Sequence, residues 1–579
     1  MEQGPQLEFD YVIVGAGSAG CVLASRLTED PNVKVAPVEA GGWDRNPWIR
    51  IPLAWPRILL KRMNDWMYFS EPDAALDNRR IECARGKVIG GSSSINAMAH
   101  VRGHRGDYDR WASRGLPGWS FDNVLPYFKR LENWEGGSDE YRGVDGPLNV
   151  ERNRCADPVC DAFTEAGVAA GYARTTDYNG AQQEGIGAWQ TNRRNGRRCS
   201  AADAYLRPAL RRQNLTVMVD TLVHEVSFNG DCATGISCSQ RGKTVQLNAG
   251  REVLIAAGAI NSPQLLMLSG IGDPAHLKRH NINVRVPLAS VGKNLQDHIS
   301  SPVVYRRKEP GPLHRAMRAD RVCKLLFDAY FRGQGLATVL PTADMAFLRG
   351  THAGPLPDIQ ILFVAAPMTA GPYLQPLWKA YADGFAARAA VLRPESRGSV
   401  ELASSDPSRL AIIRQNFLTR DKDWKVLRDG LRLAQEIGRQ RPLAKFIARQ
   451  FAPTHDSDEA LDAHIRAGAI TVHHPACTCR MGPPSDPDRV VDEALRVVGT
   501  KNLRVIDASV MPDLVGGNIN VPVIMIAEKA SDLIRDRALH PRDERPSALS
   551  DVRWGYEHAH RPASQVNERG FPNANDRSS

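Results

Sequence analysis

The chain lacks any apolar run long enough to cross a bilayer; the longest, such as 521–527, fall far short of the ~20 residues a spanning helix needs. It also lacks a basic segment followed by an apolar one at its start, which reads Met-Glu-Gln-Gly-Pro and reaches a first strand by about Asp10. No secretory signal is expected, and a cytoplasmic location is. Cysteine is scarce and scattered, ten in 579 residues, which argues against a disulfide framework and fits reduced thiols. No internal repeat is present, nor any interleaved aromatic and basic motif of the RNA-binding kind, so no nucleic-acid partner is expected.

What is present is the composition of a globular protein, 42% hydrophobic and 24% charged, in a chain long enough for two joined domains. The net charge of +9 is moderate and reads as a solvated face. The β-branched run Tyr11-Val12-Ile13-Val14 reads as a buried parallel strand, and it runs directly into Gly15-Ala16-Gly17-Ser18-Ala19-Gly20. Apolar residues at Ala19, Val22, Leu23 and Leu27 have helical spacing. A second strand over 33–38 then ends at Glu39-Ala40. This is the βαβ setting in which such glycines cradle a dinucleotide. Gly15 suits the tight turn, Gly17 the close approach of a pyrophosphate, and Gly20 the packing of helix on strand. The N–H groups at Ser18 and Ala19 open the helix toward the phosphates. Glu39 is placed to accept hydrogen bonds from a ribose diol, which disfavours a 2′-phosphate and hence NADP. Pro37 inside the second strand points to an edge, a bulge or strain.

Three further segments carry polar chemistry. Arg85-Gly-Lys-Val-Ile-Gly-Gly91-Ser92-Ser-Ser-Ile-Asn96-Ala97-Met98 is rich in backbone N–H and hydroxyl donors, suited to a phosphate or a flavin edge. Much later come His473-His474-Pro475-Ala476-Cys477-Thr478-Cys479-Arg480-Met481-Gly482 and Gly517-Asn518-Ile519-Asn520-Val521-Pro522. A histidine accepts a proton near neutral pH, which suits it to general-base chemistry. A metal site in the histidine–cysteine cluster is the competing reading, but its spacing is poor for tetrahedral ligation and no metal is expected. Cys477 reads as a small packing residue, since no basic partner is evident.

The loop at 85–98 resembles the first signature of the glucose–methanol–choline (GMC) flavoprotein oxidoreductases, and Gly258-Ala-Ile-Asn-Ser-Pro-Gln-Leu-Leu-Met-Leu-Ser-Gly-Ile-Gly272 resembles the second. The likeness runs from about Phe9 to about Arg535 through Asp65-Trp66, the 292–298, 396–400 and 504–512 segments, and looks most like the bacterial choline and alcohol dehydrogenase branch. It implies an α/β fold, a doubly wound FAD-binding domain (5–155, 196–300 and 466–540) interleaved with an antiparallel-sheet α+β substrate domain (156–195 and 301–465). Residues 541–579 are polar, with few large anchors, and read as a loosely ordered tail. The resemblance puts His474 at the catalytic histidine and Asn518 at its hydrogen-bonding partner. It puts Glu39, Asn96, Ala97, Met98, Val223, Asp507, Ala508, Asn520 and Pro522 at the cofactor, and Trp66 and His473 beside the substrate.

The implied reaction is FAD-dependent oxidation of an alcohol to an aldehyde or ketone. His474 takes the hydroxyl proton, hydride passes to flavin N5, and electrons go on to a quinone or another carrier. Oxygen as acceptor and a flavin-containing hydroxynitrile lyase are the alternatives. Ser94-Ile95-Asn96 offers no histidine or cysteine where some relatives attach flavin covalently, so noncovalent FAD is expected. Between 305 and 332 eight Lys/Arg face three Asp/Glu around short apolar runs, a stretch suited to peripheral contact with the inner face of a membrane or to a solvated helix.

Overall fold

The computed structural model describes residues 6–537. The expected tail at 541–579 lies outside them.

In chain order the elements that build the site begin with β1 (Gln6–Val14), α1 (Ser18–Leu27), β2 (Val35–Val38), α2 (Pro158–Ala169) and β3 (Gly185–Gly187). There follow β4 (Thr221–Asn229), β5 (Cys232–Gln240), β6 (Lys243–Ile255), α3 (Gly258–Leu268), β7 (Ile299–Arg307), β8 (Thr342–Leu348), β9 (Ile359–Val364) and β10 (Gly384–Val391). The last are α4 (Asp421–Arg439), β11 (Ile447–Ala452), β12 (Ile470–Thr471), β13 (Leu503–Val505) and α5 (Asn520–Ile534).

Two sheets result. The first has the order β2-β1-β6-β5-β4, with β13 on β6. β1 lies parallel to both β2 and β6, and β13 is parallel to the end of β6. Tyr11, Val12, Ile13 and Val14 are all buried, as a strand covered on both faces must be. Pro37 bonds through its carbonyl to Met218 N at 3.0 Å, on the side where β2 meets the 214–218 segment only through isolated bridges. Its missing N–H therefore falls at the frayed margin of the sheet, the edge placement among the three (edge, bulge or strain) expected of it.

The second sheet is antiparallel, β11-β7-β10-β9-β8-β3, with β12 pairing the start of β7. Alternation along its strands sorts the residues. Ile361, Phe363, Phe385 and Ala387 join the core under α2 and α4, whereas Leu362, Val364 and Arg388 turn to the opposite face, where the cavity lies. In α4 the buried Val426, Leu427, Leu431, Ala434 and Ile437 follow helical spacing and form the covering stripe.

One expectation fails at a single pair. Cys155 and Cys160 are joined as a disulfide. The turn into α2, capped by Asp157, brings their Cα atoms to 6.4 Å, a proximity that scattered spacing conceals. Cys477 is a buried free thiol pushed well above its ordinary pKa by burial, a packing residue as expected. Among the described residues no helix is long and apolar enough to cross a membrane.

Candidate active site

The first sheet ends its parallel strands at one cavity, and three helix N-termini open there: those of α1, α3 and α5. Gly15, Gly17, Ser18, Ala19, Glu39, Ala40, Gly91, Ser92, Asn96, Ala97, Val223, Asp507, Ala508 and Asn520 all line it, as do Trp66, His473, His474 and Asn518. Gly20 stays off the wall, in the packing role expected of it: a Cβ there would stand 1.9 Å from the Gly15 carbonyl oxygen. The two glycine loops press together. Gly91, at φ +53, would put a Cβ 2.7 Å from Gly17 Cα, so the serine-rich loop can lie across the dinucleotide turn only as glycine. Asn520 extends this contact, its Oδ1 accepting from Ser18 Oγ at 2.8 Å.

Two expected cofactor residues do not line the cavity. Met98 takes a left-handed backbone, φ +57, and packs inward with Trp189, Leu340 and Met345, so its side chain is spent in a core cluster. Pro522 is buried within the first turn of α5, off the cavity wall.

The cradle fits FAD by its donor set. Glu39 accepts Ala16 N at 3.0 Å and Gly41 N at 2.9 Å, one on each oxygen, which leaves a lone pair on each for a ribose diol. Burial raises its carboxyl to about 7. Asp507 ties the start of α3 to the 507–510 turn, accepting from Gly258 N at 2.9 Å, Ser262 Oγ at 2.5 Å and Ser509 N at 2.8 Å. Free N–H groups at the helix openings suit a pyrophosphate.

The other end of the cavity is built by strand pairing. β12 pairs β7 at Ile299–Thr471, and Val472 N bonds His298 O at 2.8 Å. This sets His298, just before β7, against His474, just after β12. Their Nδ1 atoms are 2.9 Å apart, and His298 Nε2 lies 3.0 Å from the Leu392 carbonyl oxygen. A carbonyl only accepts, so the His298 proton is on Nε2 and its Nδ1 is bare. His474 must then donate from Nδ1, which leaves its Nε2 bare toward the cavity. There it meets Asn518 Nδ2 at 3.1 Å. Asn518 is turned by Gln360, whose Nε2 donates to Asn518 Oδ1 at 3.2 Å. The order Leu392–His298–His474–Asn518–Gln360 is thus polarised in one direction, with its bare nitrogen and an amide N–H facing the same point.

Electrostatics agree. Burial lowers His474 well below its ordinary value, helped by His298, Arg85 and His473, and burial takes His298 to about 4 and His473 to about 3. All three rings are neutral at pH 7. Asp297 anchors the backbone beneath, accepting His474 N at 2.8 Å and Thr471 Oγ1 at 2.5 Å, and burial raises it to about 6. Arg85 holds the His473 carbonyl at 2.6 Å, and His473 keeps the left-handed φ of +65 that presents its ring to the cavity. Among the described residues no group of three His, Cys, Asp or Glu is arranged to hold a metal.

The comparisons fall in line with this geometry. GMC oxidoreductase family models match residues 9–300 and 394–527. The mitochondrial choline dehydrogenase of Homo sapiens is 43% identical over 548 residues, 93% of this chain and 91% of the relative. An oxygen-dependent choline dehydrogenase of Sinorhizobium fredii is 41% identical, over 91% of this chain and 96% of its own. Among solved structures, pyridoxine 4-oxidase from Mesorbium loti superposes with a TM-score of 0.82 at 33% identity, covering 92% of this chain and all of that one. A formate oxidase of Aspergillus oryzae, studied for FAD modification, reaches 0.83 at 26% identity over 93% of this chain and 99% of its own. The chain belongs to the GMC oxidoreductases, in the choline and alcohol dehydrogenase branch, and is an FAD-dependent enzyme acting on CH–OH groups.

Proposed function

We propose that His474 is the base that takes the hydroxyl proton of the substrate, on Nε2, and that Asn518 holds the substrate oxygen by donating from Nδ2. The observation that carries this is the polarised hydrogen-bond series from the Leu392 carbonyl to Gln360. An alcohol oxygen that takes the place of the direct Nδ2–Nε2 hydrogen bond donates to Nε2 and accepts from Nδ2, the two contacts a neutral histidine and an amide offer. As the proton leaves, His474 becomes an imidazolium whose Nδ1–H already points at His298, and the Asn518 N–H meets the charge developing on oxygen. Bound FAD supplies the hydride acceptor, at N5.

The cofactor residues we assign are Gly15, Gly17, Ser18, Ala19, Glu39, Ala40, Gly91, Ser92, Asn96, Ala97, Val223, Asp507, Ala508 and Asn520, with Gly20 supporting them through packing. FAD is held without a covalent bond: the 91–99 loop brings Gly91, Ser92, Ile95, Asn96, Ala97 and Ala99 to the cavity, none with a nucleophilic nitrogen or sulfur. The next histidine, His100, is fully buried against Glu132 at 3.1 Å and Asn192 at 2.9 Å. Acid precipitation should leave the yellow colour in the supernatant; colour in the pellet would refute this point.

Electrons pass to a quinone or another carrier in our reading. Peripheral membrane contact through 305–332 finds support in Phe327 and Phe331, which are exposed with ring centres 4.8 Å apart on a basic segment. Several of its cations, Arg307, Arg318, Lys324 and Arg332, are paired with carboxylates, which weakens the pull on anionic lipid. Absence of cosedimentation with anionic vesicles at low salt would remove the contact.

The function is tested by anaerobic mixing of the purified yellow protein with alcohols. Bleaching of the flavin band by an alcohol is expected, with reoxidation faster by a quinone than by oxygen. A flavin left oxidised by every alcohol would overturn the assignment of His474 and Asn518, and faster reoxidation by oxygen would make the enzyme an oxidase.

A further inference from the structure

The cavity holds a cation with no counter-charge. Arg388 sits in the middle of β10, opposite Leu362 in the register of β9, and both face the cavity that His474 and Asn518 line. Among the described residues its one hydrogen bond is from Nη1 to Ser300 Oγ at 3.2 Å, and no carboxylate pairs with it. Ser300 donates its own proton to the Ile470 carbonyl at 3.1 Å, so it serves Arg388 only as a neutral acceptor. The site is shielded enough for burial alone to pull the guanidinium down to about 10, and Arg388 in turn helps to depress His473 beside the base.

The carboxylates on the cavity wall do not answer it. Glu39 and Asp507 belong to the nucleotide end and are occupied by backbone N–H groups and Ser262. At the Arg388 end the wall is made of Leu340, Thr342, Leu362, Val364 and Trp189. Trp189 is itself buried, packs in one cluster with Leu362, and its indole N–H finds no acceptor among the described residues. A guanidinium and an indole N–H are both donors; the first has only the neutral Ser300 hydroxyl, and the second, itself buried, has no acceptor among the described residues. Burying a charge in this way is costly unless something of opposite sign is brought in, and a planar carboxylate is the best match for a guanidinium fork.

We infer that the substrate is an alcohol carrying a carboxylate, held by Arg388 and Trp189 with its hydroxyl carbon at His474 and Asn518. This rests on the alcohol-oxidising reading above and narrows it. The same charge disfavours a quaternary ammonium alcohol, although relatives at just over 40% identity are choline dehydrogenases. Arg388 is then the residue that sets specificity, through the sign of the charge it tolerates.

The test is anaerobic flavin reduction by a series of ω-hydroxycarboxylates, the matching hydroxyamides and choline. A kcat/KM for the best hydroxycarboxylate at least about tenfold above its amide and above choline is expected, with that ratio collapsing in Arg388→Gln. A second readout avoids turnover: an unreactive alkanoate titrated into the wild-type holoenzyme should perturb the flavin band saturably and raise the melting temperature, and do neither in Arg388→Gln. If Arg388→Gln does not fold, the wild-type titration decides: no saturable change overturns the inference. Reduction by choline or the amides as fast as by the acids overturns it too, while leaving alcohol oxidation intact. No reduction by any of the three classes overturns the inference, and the alcohol-oxidising reading is then decided by the wider set of alcohols.

Discussion

Among single residues, proton abstraction turns on which nitrogen of His474 carries a proton. His298 does not face the substrate in the arrangement described; it is a positioning residue that fixes the tautomer of His474. His298→Leu removes the acceptor and frees the His474 ring to present N–H to the substrate. Flavin reduction should slow about a hundredfold, in kcat more than in KM. His298→Gln can still accept with Oε1 and donate with Nε2 to Leu392, and should recover much of the loss. Equal damage from both substitutions would show that His298 is merely structural.

The pH dependence follows from the same rings. His474 lies well below its ordinary value, so the rate constant for flavin reduction should stay level between about pH 8 and about pH 6.5 and fall only on the more acid side. A controlling group titrating near neutrality would contradict this. Stability carries a separate signature. His298 is depressed to about 4 in the fold, so the unfolded chain takes its proton first as pH drops. Its contribution is present above the ordinary histidine value and is lost as pH falls toward 4, by up to about 3 kcal/mol. Asp297, raised to about 6, acts in the opposite sense. Comparing wild type with His298→Gln isolates the histidine: the variant should lose less stability on acidification, by urea titration at two pH values.

At the scale of elements the site is made by two kinds of junction, and the sequence exposes only one. The β1–α1–β2 unit and the serine-rich loop are local, so strand, glycines, helix and acid could be read in order, and nearly all the expected cofactor residues reach the cavity. Gly20 and Gly91 mark where this unit is tightest. Gly20→Val should cost about 3 kcal/mol or more, because its side chain meets backbone rather than a movable side chain. Gly91→Val should leave a protein with little bound flavin, measured as the ratio of visible to ultraviolet absorbance; full flavin content would contradict the crossing of the two loops.

The second junction is antiparallel. His298, Gln360 and Arg388 come to His474 and Asn518 through register across β7, β9, β10 and β12, over separations of about a hundred residues or more. Local periodicity is blind to such register, so His298 was visible only as part of a motif, and Gln360 and Arg388 not at all. A buried strand with a lone arginine among alanines, as in β10, is the one signal that could have singled out Arg388. Met98 and Pro522 show the converse: motif membership suggested the cofactor, whereas their side chains pack away from the cavity wall.

At the scale of the whole molecule, the cavity wall draws on residues from Val14 to Val523, so cofactor and fold are coupled. FAD binds the folded chain and not the unfolded one, and its removal should lower the melting temperature, with recovery on adding FAD back. An unchanged melting temperature after deflavination would mean that the cavity is held open by the protein alone. The family and the two-sheet architecture were legible in sequence, because the signatures are long and ordered. The pairing of Cys155 with Cys160 was not, since the turn that joins them leaves no mark in spacing.

The most direct measurement is the anaerobic flavin-reduction rate of wild type and His474→Ala side by side, with one reactive alcohol and matched flavin content. Loss of at least about a hundredfold in the variant, with its flavin still bound, is the result predicted for a base that accepts the hydroxyl proton. Equal rates in the two proteins would contradict it and move the proton to some other group.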